Sequence, residues 1–221
     1  MTKTLLLIGA GGNLGRAVAR RFGREGFRLV LVGRRREPLE AQARELAAAG
    51  VAAAEVEICD AADLGAVRAM VSAVEARHGA LEALVYNAAA VRRGALLEQP
   101  PETLASDLLA NAGGAMAAAQ AALPAMLARG KGTMLFTGGG LALDPMAAYT
   151  SLSVGKCALS GFVKCLVQDP ALAAVHFAHV IVHAGISPAV GEELAELYWE
   201  LHAEPQHAWR TEYLFQRPWS A

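Results

Sequence analysis

The chain has 221 residues, 54% of them hydrophobic and 19% charged, which suits one large α/β domain with a buried core and excludes a disordered polymer. The formal net charge is −1 and the basic residues are dispersed, so no nucleic-acid footprint is expected. Cys59, Cys157 and Cys165 show no metal-ligand spacing and leave an odd count, which predicts free thiols, a reducing compartment and no metal site.

Strand and helix signals alternate from the start. Residues 4–8 are an apolar run ending in glycine, as expected of a strand buried on both faces. A helix is predicted over 13–25, a strand over 27–32, and a helix over 38–49 with Pro38 near its start and Gly50 past its end. A third strand is expected over 51–58, a helix over 63–77, a fourth strand over 81–86, and two helices over about 101–129. The remaining elements are a strand over 132–137, a long helix over 147–168, a strand over 175–183, a helix over 192–202 and a short strand over 213–215. No charge occurs between Asp107 and Arg129, but Asn111, Gln120, Pro124 and two glycines interrupt that stretch, so a protein-covered helix is expected rather than a membrane span. No cleavable leader pattern follows Met1, and a cytoplasmic location is expected.

This alternation predicts a single α/β domain over residues 1–221. Its core is a doubly wound, Rossmann-type parallel sheet of about seven strands with helices on both faces. Ligands of such sheets bind at the carboxyl ends of the strands. There the first strand meets Gly9-Ala10-Gly11-Gly12-Asn13-Leu14-Gly15 and the first helix. Glycines let backbone approach a pyrophosphate, and a helix N-terminus offers free N–H groups to it. The plainer alternative is a tight βα turn. After the second strand, Gly33, Arg34 and Arg35 stand where an NAD site carries an acid for the ribose hydroxyl. Guanidinium groups suit a 2′-phosphate, so NADP(H) is predicted over NAD(H), with a solvated helix start as the alternative.

With these residues in view, the chain resembles the short-chain dehydrogenase/reductase family over nearly its whole length. The family loop has a glycine where Asn13 stands. By resemblance Asp60 contacts adenine, although it also suits a helix cap. Asn87, in Tyr86-Asn87-Ala88-Ala89, braces the sheet near the cofactor. Asn111 matches an active-site asparagine, or else is a satisfied buried amide. The family's catalytic set is Tyr-x-x-x-Lys with an upstream serine. Lys156 matches the lysine, but Leu152 stands at the tyrosine and Gly139 at the serine, within Gly138-Gly139-Gly140.

Tyr149 is the alternative acid. On a continuous helix it would lie about one turn, ~5.4 Å, from the usual position, too far unless the helix start is irregular. Ser153 points away from that face, and Thr137 ends the fifth strand with a hydroxyl. The triple glycine admits either a larger ligand group or a tight turn. Little chain remains after the sixth strand to build a lid; Tyr198 and Trp199 border the pocket or belong to the core. His183, at the cofactor end of that strand, reads as structural. The resemblance implies hydride transfer between a nicotinamide and a carbonyl or alcohol with a nonstandard proton donor, served by Lys156, Asn111 and Tyr149. The alternative is a non-catalytic NADP(H)-binding sensor or structural protein. It further implies a small-molecule substrate and a homodimer or homotetramer built on the helices predicted over 105–129 and 147–168.

Overall fold

The computed structural model describes residues 2–51 and 53–217. Seven parallel strands form one sheet: β1 (Thr4–Ile8), β2 (Arg28–Gly33), β3 (Ala54–Ile58), β4 (Ala83–Tyr86), β5 (Gly132–Thr137), β6 (Val175–His183) and β7 (Glu212–Gln216). Their spatial order is β3-β2-β1-β4-β5-β6-β7. The order reverses between β1 and β4, whose register pairs Ile8 with Tyr86. The carboxyl ends of those two strands therefore flank the crevice expected of a doubly wound sheet.

Alternation along each strand divides the core in two. Leu5, Leu7, Val85, Leu135 and Val180 face α1 (Gly12–Arg24), α2 (Arg36–Ala48) and α7 (Pro188–Ala203). Leu6, Ile8, Leu84, Tyr86 and Phe136 face α3 (Leu64–His78), α5 (Gly114–Arg129) and α6 (Thr150–Gln168). The strands are apolar on both faces because helices cover both. The uncharged stretch near Asn111 follows α4 (Pro101–Leu108) and forms a widened turn over Leu109–Gly113 and then α5. Among the described residues one helix, α6, is long and apolar enough to cross a membrane by length and composition; it buries Leu159, Val163 and Leu166 against the sheet.

Several boundaries differ from expectation for identifiable reasons. The third strand begins at Ala54; Ala52, within its predicted span, lies outside the described residues, as do residues 218–221 of the predicted domain. Helix α2 begins at Arg36, so Pro38 falls inside the first turn, where a missing N–H costs nothing. The last helix begins at Pro188 rather than Glu192. Ser187 caps it, its Oγ accepting from Val190 N at 3.3 Å, and proline is tolerated at the first helical position. The most consequential correction is α6, which begins at Thr150, not Ala147. Gly94 N donates to Ala148 O at 2.8 Å and Gly94 bridges Tyr149, so the segment before Thr150 follows the neighbouring loop instead of the helix.

Candidate cofactor and active site

The glycine loop is held from both sides. Gly9 N and Ala10 N donate to Val32 O, and Asn87 Nδ2 donates to Gly9 O at 2.8 Å. Gly9 has φ +88°, and a Cβ there would stand 2.4 Å from Ala88 N, so both backbone sign and space require glycine. A Cβ at Gly15 would stand 2.4 Å from Ala10 O; its absence lets α1 pack close to the loop. Gly11 and Gly12 face open space at the start of α1. Asn13 lines the cavity above the loop and also carries a structural bond. Its Nδ2 donates to Ile186 O at 2.7 Å, tying the loop to the β6–α7 connection. Leu14 is buried in the core beneath the loop, though it also borders the cavity above.

Two cavities lie along the carboxyl edge of the sheet and share Gly11, Gly12, Asn87, Ala89 and Val91 as lining residues. The first, of 430 Å³, is bordered by Arg34, Arg35 and Asp60 over β2 and β3. Both arginines are exposed, and among the described residues neither is engaged by an acid, whereas neighbouring Arg36 pairs with Glu40. Asp60 Oδ1 accepts from Ala62 N at 3.0 Å, so it braces the turn and borders the cavity at once; the cap of α3 is Asp63 instead.

The second cavity, of 890 Å³, opens over β4, β5 and β6. Its lining includes Tyr149, Leu152, Lys156, the three glycines after β5 and His183. Lys156 is 6% exposed and donates from Nζ to Thr137 O at 2.7 Å. Burial without a carboxylate partner lowers its pKa from 10.5 to about 8. Tyr149 caps α6 with φ −137° and ψ 45°, outside the helix. The irregular start that a catalytic Tyr149 requires is therefore present.

The other candidate hydroxyls are committed elsewhere. Ser153 Oγ meets Met146 N and O at 3.2 and 3.4 Å and holds the turn before α6. Thr137 Oγ1 lies 2.6 Å from the Tyr198 hydroxyl, which is fully buried, so Tyr198 belongs to the core. Trp199 packs edge-on to Phe22 and Phe27 on the same side.

Asn111 is fully buried and does not border either cavity. Its Oδ1 accepts from Ala90 N at 2.9 Å and its Nδ2 donates to Ala90 O at 3.3 Å, so both amide ends are satisfied and the loop after β4 is fixed. It lies in the widened turn, a local geometry frequent at functional sites. Tyr86 donates its hydroxyl to Ala110 O at 2.6 Å in that turn, and Gly155 clears space for Asn111, since a Cβ there would stand 2.4 Å from the Asn111 Cβ.

Sequence reasoning missed two features. Asp107 is 2% exposed and accepts from Ser151 Oγ at 2.8 Å and Arg92 Nε at 3.2 Å, binding the β4 loop, α4 and α6 together. The triple glycine admits side chains from distant elements. A Cβ at Gly138, Gly139 or Gly140 would stand 2.3 Å from His179 Nε2, 3.5 Å from the Lys156 stem, or 2.8 Å from the His183 ring. Among the described residues no group of three His, Cys, Asp or Glu side chains could hold a metal ion.

A glycine loop at the strand-order reversal, a helix N-terminus behind it and a buried lysine across the same crevice define a dinucleotide-binding type of α/β domain. Comparison narrows the class. The short chain dehydrogenase family matches residues 3–202, and the chain belongs to that family. It is 32% identical over 170 residues to the Bos taurus dehydrogenase/reductase SDR family member 7B, covering 73% of this chain but only about half, 51%, of that relative. It is 29% identical over 198 residues to the Bos taurus 3-oxoacyl-[acyl-carrier-protein] reductase, covering 88% of this chain and 81% of the relative. Among solved structures, a metagenomic short-chain oxidoreductase in complex with NADP superposes with a TM-score of 0.88 at 26% identity, covering 96% of this chain and 95% of that one.

Proposed function

We propose that this protein is an NADP(H)-dependent oxidoreductase that moves a hydride between the nicotinamide and a carbonyl or alcohol, with a proton donor other than the usual helix tyrosine. The observation that carries the reading is one continuous crevice with uncommitted Arg34 and Arg35 at one end and desolvated Lys156 at the other. The residues fit the cofactor. Gly11, Gly12 and the first turn of α1 leave space and free N–H groups for the pyrophosphate. Arg34 and Arg35 suit the 2′-phosphate, and Asp60 and Asn87 border the path between. The NADP complex of the structural neighbour supports the same choice. The cofactor supplies the hydride; the protein must orient the substrate and manage one proton.

Lys156 and Tyr149 border the reacting end directly, and Asn111 acts by fixing Ala90 beneath it. The second reading, a binding protein without turnover, draws on Leu152 and Gly139, which offer no proton. NADPH binding together with an absence of NADPH oxidation across a broad carbonyl panel would leave only that second reading. Titration of NADPH against NADH tests the cofactor choice, and equal affinities would reject it. Self-association through α5 and α6 is also proposed, because Met116 and Val154 stand exposed on them. Sedimentation as a monomer at micromolar concentration would reject it.

A further inference from the structure

Each glycine after β5 lies against a basic side chain, and Gly138 and Gly140 make room for theirs, but the three partners are not equivalent. His179 is 1% exposed beneath Gly138, and Lys156 beside Gly139 is bonded to Thr137 O. His183 ends β6 at the same carboxyl edge, is partly exposed, and borders the 890 Å³ cavity with Lys156 and Leu152. Its carbonyl accepts from Arg217 N at 3.3 Å, while its ring borders the cavity. Any side chain at position 140 would overlap the ring, since a Cβ would stand 2.8 Å from His183 Cγ and Cδ2. Gly140 thus seats an imidazole next to position 139, where a side-chain hydroxyl is missing.

We propose that His183 is the catalytic proton donor to the substrate carbonyl oxygen, and the acceptor in the reverse direction. This role rests on the oxidoreductase reading above. When a hydride arrives at the carbonyl carbon, the π pair of the C=O bond moves to oxygen. That oxygen takes a proton from the His183 imidazolium and becomes a hydroxyl. The neutral imidazole is recharged from solvent at the open cavity, so each turnover uses one hydride and one solvent proton. Imidazole suits the task because it exchanges protons near neutral pH.

Among the described residues, the charged and titratable groups that line the same cavity as His183 are Lys156 on α6, Tyr149 at its start and Asp144 in the preceding loop; Arg217, whose N–H bonds the His183 carbonyl, is paired with Glu193. Tyr149 enters from a turn tied to Gly94, whereas Lys156 and His183 both lie against the glycine run. Val91, Leu141, Met146, Leu152 and Ile186 line the same cavity, so the substrate class is a carbonyl compound with an apolar body.

Histidine side-chain NMR tests the placement without turnover. The chain has six histidines, and His183→Gln identifies one signal by its loss. Oxidised nicotinamide carries a positive charge that the reduced ring lacks. At one pH the His183 ring signal should therefore differ between the NADP+ and NADPH complexes. An identical signal in both complexes overturns the assignment, and failure of both cofactor forms to bind overturns it together with the cofactor reading. The chemical role is tested by NADPH oxidation with an activated aromatic diketone. His183→Gln should lower kcat by ~10²–10⁴-fold at unchanged NADPH affinity. Undiminished turnover in His183→Gln, or a loss seen only in Tyr149→Phe, overturns the role of His183 alone. No turnover by the unsubstituted protein on the diketone or the carbonyl panel overturns the oxidoreductase reading and this role with it.

Discussion

Lys156 Nζ donates to the Thr137 carbonyl at 2.7 Å, and among the described residues no carboxylate offsets its burial. The folded-state pKa of about 8 lies below the ordinary 10.5, so between those values the unfolded chain binds more protons. Stability without cofactor should rise as pH climbs from 8 toward 10.5, and the penalty below pH 8 is about 3 kcal/mol. Lys156→Met removes that penalty and one hydrogen bond worth about 1 kcal/mol. The variant should be about 2 kcal/mol more stable at pH 7 and lose the alkaline rise. Urea unfolding at pH 7, 8.5 and 10 measures both; a less stable Lys156→Met at pH 7 contradicts the account.

His179 sets the acid side. Among the described residues both of its ring nitrogens are buried without a hydrogen-bond partner, Glu212 Oε2 standing 3.8 Å from Nδ1, and burial outweighs that carboxylate and lowers the pKa from 6.5 to about 4. His202 is lowered to about 4 as well, again chiefly by burial. A depressed folded pKa means that stability present above pH 6.5 is lost as pH falls toward 4. His179 alone should remove about 2 kcal/mol between pH 7.5 and pH 5. His179→Leu should shrink that difference in urea unfolding. An unchanged difference would show that the imidazole accepts its proton in the folded state.

The site was legible where local pattern and tertiary structure agree. Strands β5 and β6 fall where predicted because each is mostly apolar and β-branched or aromatic, interrupted only by Thr133 in β5 and by His176 and His179 in β6. The glycine loop was legible for the same reason, since its turn chemistry is local. The start of α6 was not. Ala147 and Ala148 are good helix formers, but the bond from Gly94, more than 50 residues away, overrides that propensity. The glycine run was recognised and its purpose was not, because His179 and His183 reach it from β6. No spacing rule within the run could reveal those partners.

Cofactor choice should reside in Arg34 and Arg35. Their exposure limits each contact to a modest charge-assisted bond. Arg34→Ala should weaken NADPH about tenfold and leave NADH unchanged, and added salt should narrow the gap between the two cofactors. Fluorescence titration at two salt concentrations measures this. Equal weakening of both cofactors would place the guanidinium on a phosphate that they share.

The two missing catalytic groups differ in how readily they can be restored. A Cβ at Gly139 meets only the Lys156 stem, at 3.5 Å, an ordinary contact, whereas one at Gly138 or Gly140 collides with a histidine. Gly139→Ser should therefore fold normally, while Gly138→Ala should be destabilised by about 1–3 kcal/mol. Leu152 sits one helical turn before Lys156 and borders the large cavity, which leaves room for a phenol. The pair Gly139→Ser with Leu152→Tyr should return a hydroxyl and an acid to the face that Lys156 shares. In the His183→Gln background this pair should recover at least tenfold of the lost turnover on the same diketone. With His183 intact the gain should be smaller, because a donor is already present. No recovery, with NADPH affinity and melting temperature unchanged, would mean that the substrate carbonyl does not lie against α6.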